Sequence, residues 1–232
     1  MPTRGERNFF RLPDFAARMY ESLVSMNAIR LQHREIAERL TRRIQRGRLL
    51  DIGTGPGMLL REVHCLNPEI ELFGLDISDA MVALAWKRLS DIPVDLRAGN
   101  IRKTDYANDY FDLVTCTGSF YLWDEPAAGL NEVHRILKPG CKAVLFESYR
   151  DFDKTALRQA LRKNLQGEPW MRRMISPYFL MKQLRITYTV EETARIVRQS
   201  RFAHTFKIET ILLANLPMWM CITLSKNDHE PS

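Results

Sequence analysis

Short apolar runs alternate with amphipathic stretches along most of the first 150 residues of the chain. Five of the runs have the length of a β-strand, and they cover residues 49–52, 69–75, 94–98, 110–116 and 142–147. Between them, apolar residues recur at helical spacing, as in the stripe of Met81, Leu84, Ala85 and Leu89. Strands that alternate with helices predict βαβ units and a mostly parallel sheet with helices on both faces.

Helices are predicted before the first strand and between later ones. Two precede the first strand, over residues 13–26 and about 27–46. Another helix ends near residue 66, the next is capped by Ser78, and a further one covers residues 125–137. The pair Pro139-Gly140 is expected to end the last of these helices.

The alternation breaks after Tyr149. Residues 152–185 are mainly helix-like and rich in basic and aromatic side chains. A capping box at residues 189–192 then begins a helix that is expected to reach about residue 200. Strands are predicted over residues 202–213 and 218–224, and a connection this short makes them antiparallel neighbours. The predicted sheet therefore has five parallel strands closed by a hairpin.

Composition is typical of a folded domain. With 232 residues, 45% of them hydrophobic, the chain suits one large domain or a core with an inserted cap. We expect a single domain over residues 1–232, with an N-terminal helical segment (1–47), a core (48–150 and 186–225) and a helical cap (151–185). No apolar run reaches the length of a membrane span, and the N-terminus lacks the apolar region of a secretory signal.

The four cysteines form no C-x-x-C pair, so structural packing in a reducing cytoplasm is expected and a zinc site is not. A net charge of +6 and a pI of about 9.2 permit nucleic acid, anionic membranes or acidic small molecules as partners, and prove none of them. The arginines of the second predicted helix favour a solvated face over nucleic-acid binding, because no aromatic residues are interleaved with them.

The candidate chemistry begins at residues 49–60. Two apolar residues lead to Asp51, glycines follow at positions 53, 55 and 57, and an apolar run then begins. This order predicts a buried strand, a tight turn and the start of a helix. Glycine lets a ligand approach the main chain closely, and a helix that begins there points free N–H groups into the crevice beyond the strand.

A second acidic residue supports a nucleoside site. Asp76 ends the second predicted strand about 20 residues after the turn, where a carboxylate can accept hydrogen bonds from both ribose hydroxyls. The alternative is a turn aspartate beside Ser78, but the strand end, the spacing and the glycine turn agree on a ligand role. Dinucleotide binding fits less well, because its fingerprint is G-x-G-x-x-G and the spacing here is G-x-G-x-G.

Four stretches carry a family resemblance: LDIGTGPG at 50–57, GLDISDAM at 74–81, YFDLV at 110–114 and EVHRILKPG at 132–140. Through them the chain resembles the class I S-adenosylmethionine-dependent methyltransferases, of the type 11 small-molecule group that includes ubiquinone/menaquinone C-methyltransferases. The resemblance implies a Rossmann-like sheet of seven strands. It also implies S-adenosyl-L-methionine as cofactor, S-adenosyl-L-homocysteine as product and in-line methyl transfer to a small-molecule acceptor.

The resemblance assigns cofactor binding to Asp51, Gly53, Thr54, Gly55, Gly57, Asp76, Ile77, Met81, Asn100, Ile101, Thr117 and Gly118. In this assignment Asp51 lies near the cofactor's amino group, Asp76 takes the ribose hydroxyls and Asn100 meets the adenine edge. The family often has Asp where this chain has Asn100, which leaves an uncharged and weaker acceptor. It also often has a second glycine after Gly140, where this chain has Cys141.

The sequence defines the binding site of the methyl acceptor less well than that of the cofactor. Candidate pocket residues are the aromatic side chains Tyr20, Tyr121, Trp123, Tyr149 and Tyr178, each with packing as the alternative role. No residue stands out as a general base, so no catalytic residue is assigned. The lid is expected to combine residues 1–26 with 152–185, whose basic side chains would suit an anionic acceptor or simply form a solvated surface. A methyltransferase of RNA or protein and a non-catalytic cofactor-binding regulator remain alternatives.

Overall fold

The computed structural model of the protein describes residues 27–166, 170, 177, 180–182 and 184–227. Its helices are α1 (Asn27–Thr41), α2 (Met58–Leu66), α3 (Asp79–Arg88), α4 (Pro126–Ile136), α5 (Lys154–Asn164) and α6 (Val190–Arg198), with a short 3-10 helix at Phe120–Leu122. Its strands are β1 (Gly47–Ile52), β2 (Ile70–Asp76), β3 (Val94–Ala98), β4 (Phe111–Thr117), β5 (Leu137–Ser148), β6 (Phe206–Leu213) and β7 (Leu216–Ser225). The helix predicted over residues 13–26 lies outside the described residues, as does part of the predicted cap.

The sheet confirms the predicted fold class. Its strands lie in the order β3-β2-β1-β4-β5-β7-β6, in which β1 to β5 pair in parallel and β7 pairs antiparallel with both β5 and β6. The chain moves outward from β1 to β3 on one side and then returns to place β4 on the other side. In an open parallel sheet this reversal opens a crevice beyond the carboxyl ends of the two central strands, which are β1 and β4.

Helices cover both faces of the sheet. On one face the core is built with α1, α2, α3 and α5, through residues such as Ile36, Leu60 and Leu157. On the other face α4 and α6 contribute residues such as Val133 and Val197. Within the described part of the chain, no helix is both long and apolar enough to cross a membrane.

The junction between α4 and β5 differs from the prediction. The helix ends at Ile136, but Pro139 and Gly140 do not separate it from the next strand, because β5 already begins at Leu137. Leu137 pairs with Phe111, and the register then shifts before Lys142 pairs with Leu113. Gly140 lies at this irregularity with φ of +73°, a backbone conformation in which glycine carries no steric cost.

The C-terminal hairpin is confirmed, with a shorter first strand, a longer second strand and a tighter turn than predicted. Strand β6 begins at Phe206 and not at Phe202, which is fully buried in the turn that precedes it. Burial of Phe202 against the ring of His134 explains why the apolar pattern extends beyond the strand. The turn consists of Ala214 and Asn215, both with positive φ, as the twist of a two-residue hairpin requires.

Candidate active site

The glycine turn between β1 and α2 lies at the crevice. Gly53, Gly55 and Gly57 have φ angles of +70°, +52° and +77°, which is the left-handed region that favours glycine. A side chain at Gly57 would also lie 2.6 Å from the Leu89 Cδ1 atom, so α2 packs against the end of α3 only with glycine there. The sequence thus bends the chain sharply and points the first main-chain N–H groups of α2 toward the carboxyl ends of the strands.

The Asp76 carboxylate lies beside this turn, as the sequence predicted. Its Oδ2 atom accepts a hydrogen bond from the Gly55 main-chain N–H at 2.8 Å, and its Oδ1 atom accepts one from the Ser78 N–H at 2.9 Å. Burial raises the pKa of Asp76, and these N–H donors oppose the rise. A carboxylate has about four lone-pair sites, so both oxygens retain capacity to accept hydrogen bonds from a ligand.

Asp51 is the more deeply buried of the two carboxyl groups, with 2% of its surface exposed. Burial raises its pKa to about 7, the neighbouring Thr54 hydroxyl opposes the rise, and the nearby Asp76 charge adds to it. Its Oδ1 atom is buried and has no hydrogen-bond partner, and the same holds for the Thr54 and Thr117 hydroxyls. Unpartnered buried polar atoms are costly, so their grouping at the ends of β1 and β4 fits a polar ligand group.

These observations fit S-adenosylmethionine. The unpartnered Asp51 oxygen suits the ammonium of its methionyl group, the Asp76 carboxylate suits the ribose diol, and the glycine turn leaves room for the ligand at the main chain. Thr117 and Gly118 end β4 at the same edge, and the Gly118 N–H donates to the Phe146 carbonyl oxygen of β5 at 2.9 Å. The structure therefore places the residues predicted for the methionyl and ribose groups at one edge of the sheet.

The residues predicted for adenine lie at the neighbouring strand ends. Ile77 follows β2 with 47% of its surface exposed, whereas Met81 and Ile101 are 7% and 6% exposed. Asn100 follows β3, and its Oδ1 atom accepts a hydrogen bond from the Arg102 main-chain N–H at 2.9 Å. The Asn100 oxygen is thus already engaged within its own turn, which the sequence did not reveal.

Glu132 and Arg135, both in the stretch at residues 132–140, have a structural role beside the crevice. The Glu132 Oε1 atom accepts hydrogen bonds from both the main-chain N–H and the hydroxyl of Thr104, each at 2.7 Å. Arg135 donates to both Glu132 oxygens, at 2.8 and 2.6 Å. The pair therefore ties α4 to the loop that follows Asn100 and fixes that side of the crevice.

The predicted acceptor residues are only partly brought together. Tyr149 is half-buried at the end of β5, where its hydroxyl donates to the Pro217 carbonyl oxygen at 3.4 Å. Trp123 packs edge-on against Phe120, and a side chain at Gly129 of α4 would lie 2.6 Å from its ring. That packing supports a structural role for Trp123, and Tyr121 lies in the same 3-10 turn. Tyr20 and Tyr178 lie outside the described residues.

Among the basic side chains of the predicted cap, the structure describes those on α5 and also Lys182 and Arg185, which are exposed. Arg158, Arg162 and Lys163 are exposed on α5, which favours the solvated surface over a pocket lining for this helix. An open hollow of about 400 Å³ lies at the opposite edge of the sheet, lined by Thr41, Arg42, Gln45, Arg46, Leu66, Asn67 and Glu69. None of these seven described residues carries an unpartnered buried polar atom, so the hollow lacks the features of the crevice.

Glu147 is a residue that the sequence reasoning missed. It is the second-last residue of β5, is fully buried and accepts hydrogen bonds from the main-chain N–H groups of Phe120 and Ser148. Burial raises its pKa to about 8. The available signal was an acidic residue at the carboxyl end of a parallel strand, the same position that singled out Asp51 and Asp76.

Comparison with known proteins agrees with this geometry. Residues 50–145 match the model of a methyltransferase domain family. The chain is 31% identical over 105 residues to the uncharacterized methyltransferase YdaC of Bacillus subtilis, covering 45% of this chain and 58% of YdaC. It is 30% identical over 151 residues to the ubiquinone/menaquinone biosynthesis C-methyltransferase UbiE of Geobacter sulfurreducens, covering 62% and 59%. The chain thus matches less than two thirds of the length of these relatives.

Solved structures share the fold over nearly the whole chain. The plantazolicin methyltransferase BpumL in complex with SAH has a TM-score of 0.70 at 16% identity, covering 97% of this chain and 94% of BpumL. A SAM-dependent methyltransferase from Aquifex aeolicus has a TM-score of 0.62 at 15% identity, covering 90% and 96%. Residues 50–145 therefore carry a methyltransferase domain, and the chain has the fold of the class I S-adenosylmethionine-dependent methyltransferases.

Proposed function

We propose that the protein transfers the methyl group of S-adenosylmethionine to a small-molecule acceptor. The observation that carries the proposal is the contact between the Asp76 carboxylate and the Gly55 N–H at the reversal of the sheet. It joins the two features that a nucleoside ligand needs, an acceptor for the ribose diol and a main chain free of side chains. The domain match over residues 50–145 supports the same reaction class.

Each end of the cofactor has a proposed partner in this chain. Asp76 accepts from the ribose hydroxyls, and the unpartnered Asp51 oxygen accepts from the methionyl ammonium. Ile77, which is half-exposed, and Met81 contact the adenine faces. The Asn100 oxygen already accepts from the Arg102 N–H, and its second lone pair remains to accept from the adenine edge.

When bound, S-adenosylmethionine supplies a methyl group already activated by its sulfonium charge. The residues of this chain then have to align the acceptor, because methyl transfer needs a near-linear approach at close range. The fully buried core beneath the crevice and the lid expected from residues 1–26 and 152–185 would exclude water, which favours loss of the sulfonium charge in the transition state.

The described residues at the crevice support alignment more than proton removal. Burial raises the pKa of the Tyr149 hydroxyl, so its anionic form is disfavoured at neutral pH. Burial likewise raises the pKa of the Cys116 thiol, which rules against a thiolate base. Since neither of these two described groups is suited to act as a base, the proposed acceptor is one that is nucleophilic without help, such as an electron-rich ring carbon or an acidic hydroxyl that is already ionised.

Names of similar proteins favour a small molecule over a macromolecule. Curated relatives are ubiquinone/menaquinone C-methyltransferases and a demethylmenaquinone methyltransferase. One structural neighbour is a plantazolicin methyltransferase crystallised with a triazolic desmethylPZN analog and SAH. We propose a planar, electron-rich compound as the first acceptor class to test, with 1,4-naphthoquinol as a soluble representative.

Transfer of tritium from methyl-labelled S-adenosylmethionine tests the proposal. The protein is incubated with the small-molecule, RNA and protein fractions of a bacterial extract, and separately with 1,4-naphthoquinol. We expect label in the small-molecule fraction. Label in the RNA or protein fraction would instead establish a macromolecular acceptor. Tight binding of the cofactor without label in any fraction would favour the non-catalytic regulator.

A further inference from the structure

Glu147 fixes the turn that connects β4 to the 3-10 helix. We propose that Glu147 is a positioning residue for the cofactor site. Its carboxylate holds residues 118–122 in place, and these residues fix the position of the glycine turn after β1. The inference rests on the proposed function for the identity of the ligand, and it concerns a residue that makes no contact of its own with that ligand.

Among the described residues, the Glu147 carboxylate accepts hydrogen bonds from main-chain groups alone. Its Oε2 atom accepts from the Phe120 N–H at 2.7 Å, its Oε1 atom accepts from the Ser148 N–H at 3.0 Å, and the Tyr121 N–H is a further donor. Glu147 has no exposed surface, and none of its described contacts is an ion pair. Burying a carboxyl group without a cation is expensive, and three hydrogen bonds compensate for it, two from the 3-10 turn and one from the last residue of β5.

The turn that Glu147 holds is in contact with the glycine turn. The Ser119 hydroxyl donates to the Ile52 carbonyl oxygen at 3.2 Å. A side chain on Gly53 would lie 2.1 Å from the Ser119 Oγ atom, so Ser119 occupies the space that glycine leaves open. Phe120, whose N–H binds Glu147, is the next residue in the chain. Movement of Phe120 would therefore move Ser119 away from the main chain that receives the cofactor.

The arrangement links two edges of the crevice through one buried group. Ser119 lies between the Cys116 thiol, 3.0 Å from its hydroxyl, and the end of β1. The N–H of Gly118, which is assigned to the methionyl group, donates a hydrogen bond to the carbonyl oxygen of Phe146, the residue before Glu147. Loss of the Glu147 acceptor would loosen both contacts at once, although neither Asp51 nor Asp76 is altered.

The variant Glu147→Gln tests the inference, because it preserves shape but replaces one accepting oxygen by a donor. Asp112→Asn is the matched control. Asp112 also accepts from a main-chain N–H, that of Arg48 at 2.8 Å, but it lies at the amino end of β4, away from the crevice. Affinity for S-adenosylhomocysteine is measured by calorimetry at a temperature where urea unfolding shows that all proteins are folded.

We expect both variants to lower the free energy of unfolding, but only Glu147→Gln to weaken S-adenosylhomocysteine binding, by about tenfold or more. Ser119→Ala combined with Glu147→Gln should weaken binding by less than the product of the two single effects, because both act through one turn. Wild-type affinity in folded Glu147→Gln would overturn the inference. Absence of binding by the wild-type protein would instead contradict the proposed function.

Amide hydrogen exchange on the wild-type protein keeps the test decisive if Glu147→Gln does not fold. The inference predicts that S-adenosylhomocysteine slows exchange at Phe120 and Tyr121 by about tenfold or more, because ligand and carboxylate hold the same turn. Unchanged exchange at these two amides while the ligand is bound would overturn it.

Discussion

The carboxylate of Asp76 accepts a hydrogen bond from the main-chain N–H of Gly55 at 2.8 Å. This bond joins the end of β2 to the glycine turn after β1, so the groups proposed to bind the ribose and the methionyl part are fixed relative to one another before any ligand arrives. Such preorganisation lowers the ordering cost of binding.

Replacing Asp76 by alanine removes both the ribose acceptors and the anchor of the glycine turn. We expect Asp76→Ala to weaken S-adenosylhomocysteine binding by about 1–3 kcal/mol, the usual scale for lost hydrogen bonds to a charged group. Calorimetry measures the change. Asp79→Ala is the control, because Asp79 is an exposed carboxylate in the first turn of α3. Equal affinities for the two variants would count against the assigned ribose site.

Substitution of Gly53 is predicted to weaken cofactor binding through a steric collision that a second substitution can remove. Gly53→Ala places a methyl group 2.1 Å from the Ser119 Oγ atom at a φ of +70°. The backbone conformation alone should cost about 1–3 kcal/mol of stability, and displacement of Ser119 should add to the loss of S-adenosylhomocysteine binding. Adding Ser119→Gly removes the collision but not the backbone cost, so it should restore binding in part. A double variant no better than Gly53→Ala would contradict the close contact.

The pKa of Asp51 gives two predictions of opposite sign. Because this pKa is raised to about 7 in the folded protein, the ligand-free protein should lose stability as pH rises from about 4 to 7. Binding of an ammonium group requires the ionised carboxylate, so affinity for S-adenosylhomocysteine should rise over the approach to pH 7. Asp51→Asn should abolish the contribution of Asp51 to both pH dependences. Urea unfolding measures the pH dependence of stability, and calorimetry measures that of affinity. A pH profile of affinity unchanged in Asp51→Asn would contradict the assigned ammonium contact.

Asn100→Asp should strengthen cofactor binding. The aspartate retains an acceptor for the Arg102 N–H and offers a charged oxygen to the adenine amino group, where Asn100 offers a neutral one. Because a hydrogen bond to a charged group is worth about 1 kcal/mol more than a neutral one, we expect about fivefold tighter binding of S-adenosylhomocysteine. Weaker binding would contradict this account and indicate that the Asn100 amide donates to the base.

The sequence predicted those parts of the fold that local patterns encode. The glycine turn, Asp76 at a strand end and the capping box at Thr189 all follow from short-range rules and are present in the structure. The start of β5 at Leu137 was not predictable, because Pro139 and Gly140 normally end a helix and only pairing with β4 turns them into an irregular strand. Glu147 carried the signal of an acidic residue at a strand end, but its contact with the 3-10 turn was not predictable, because those main-chain groups lie 26 and 27 positions away.

A structure of the protein with S-adenosylhomocysteine measures the central claim most directly. We expect the ribose hydroxyls within hydrogen-bond distance of the Asp76 carboxylate and the amino group at Asp51, with the ligand crossing the glycine turn between them. The ligand bound at another place on the chain, or in an orientation that leaves Asp76 without a ribose contact, would contradict the account.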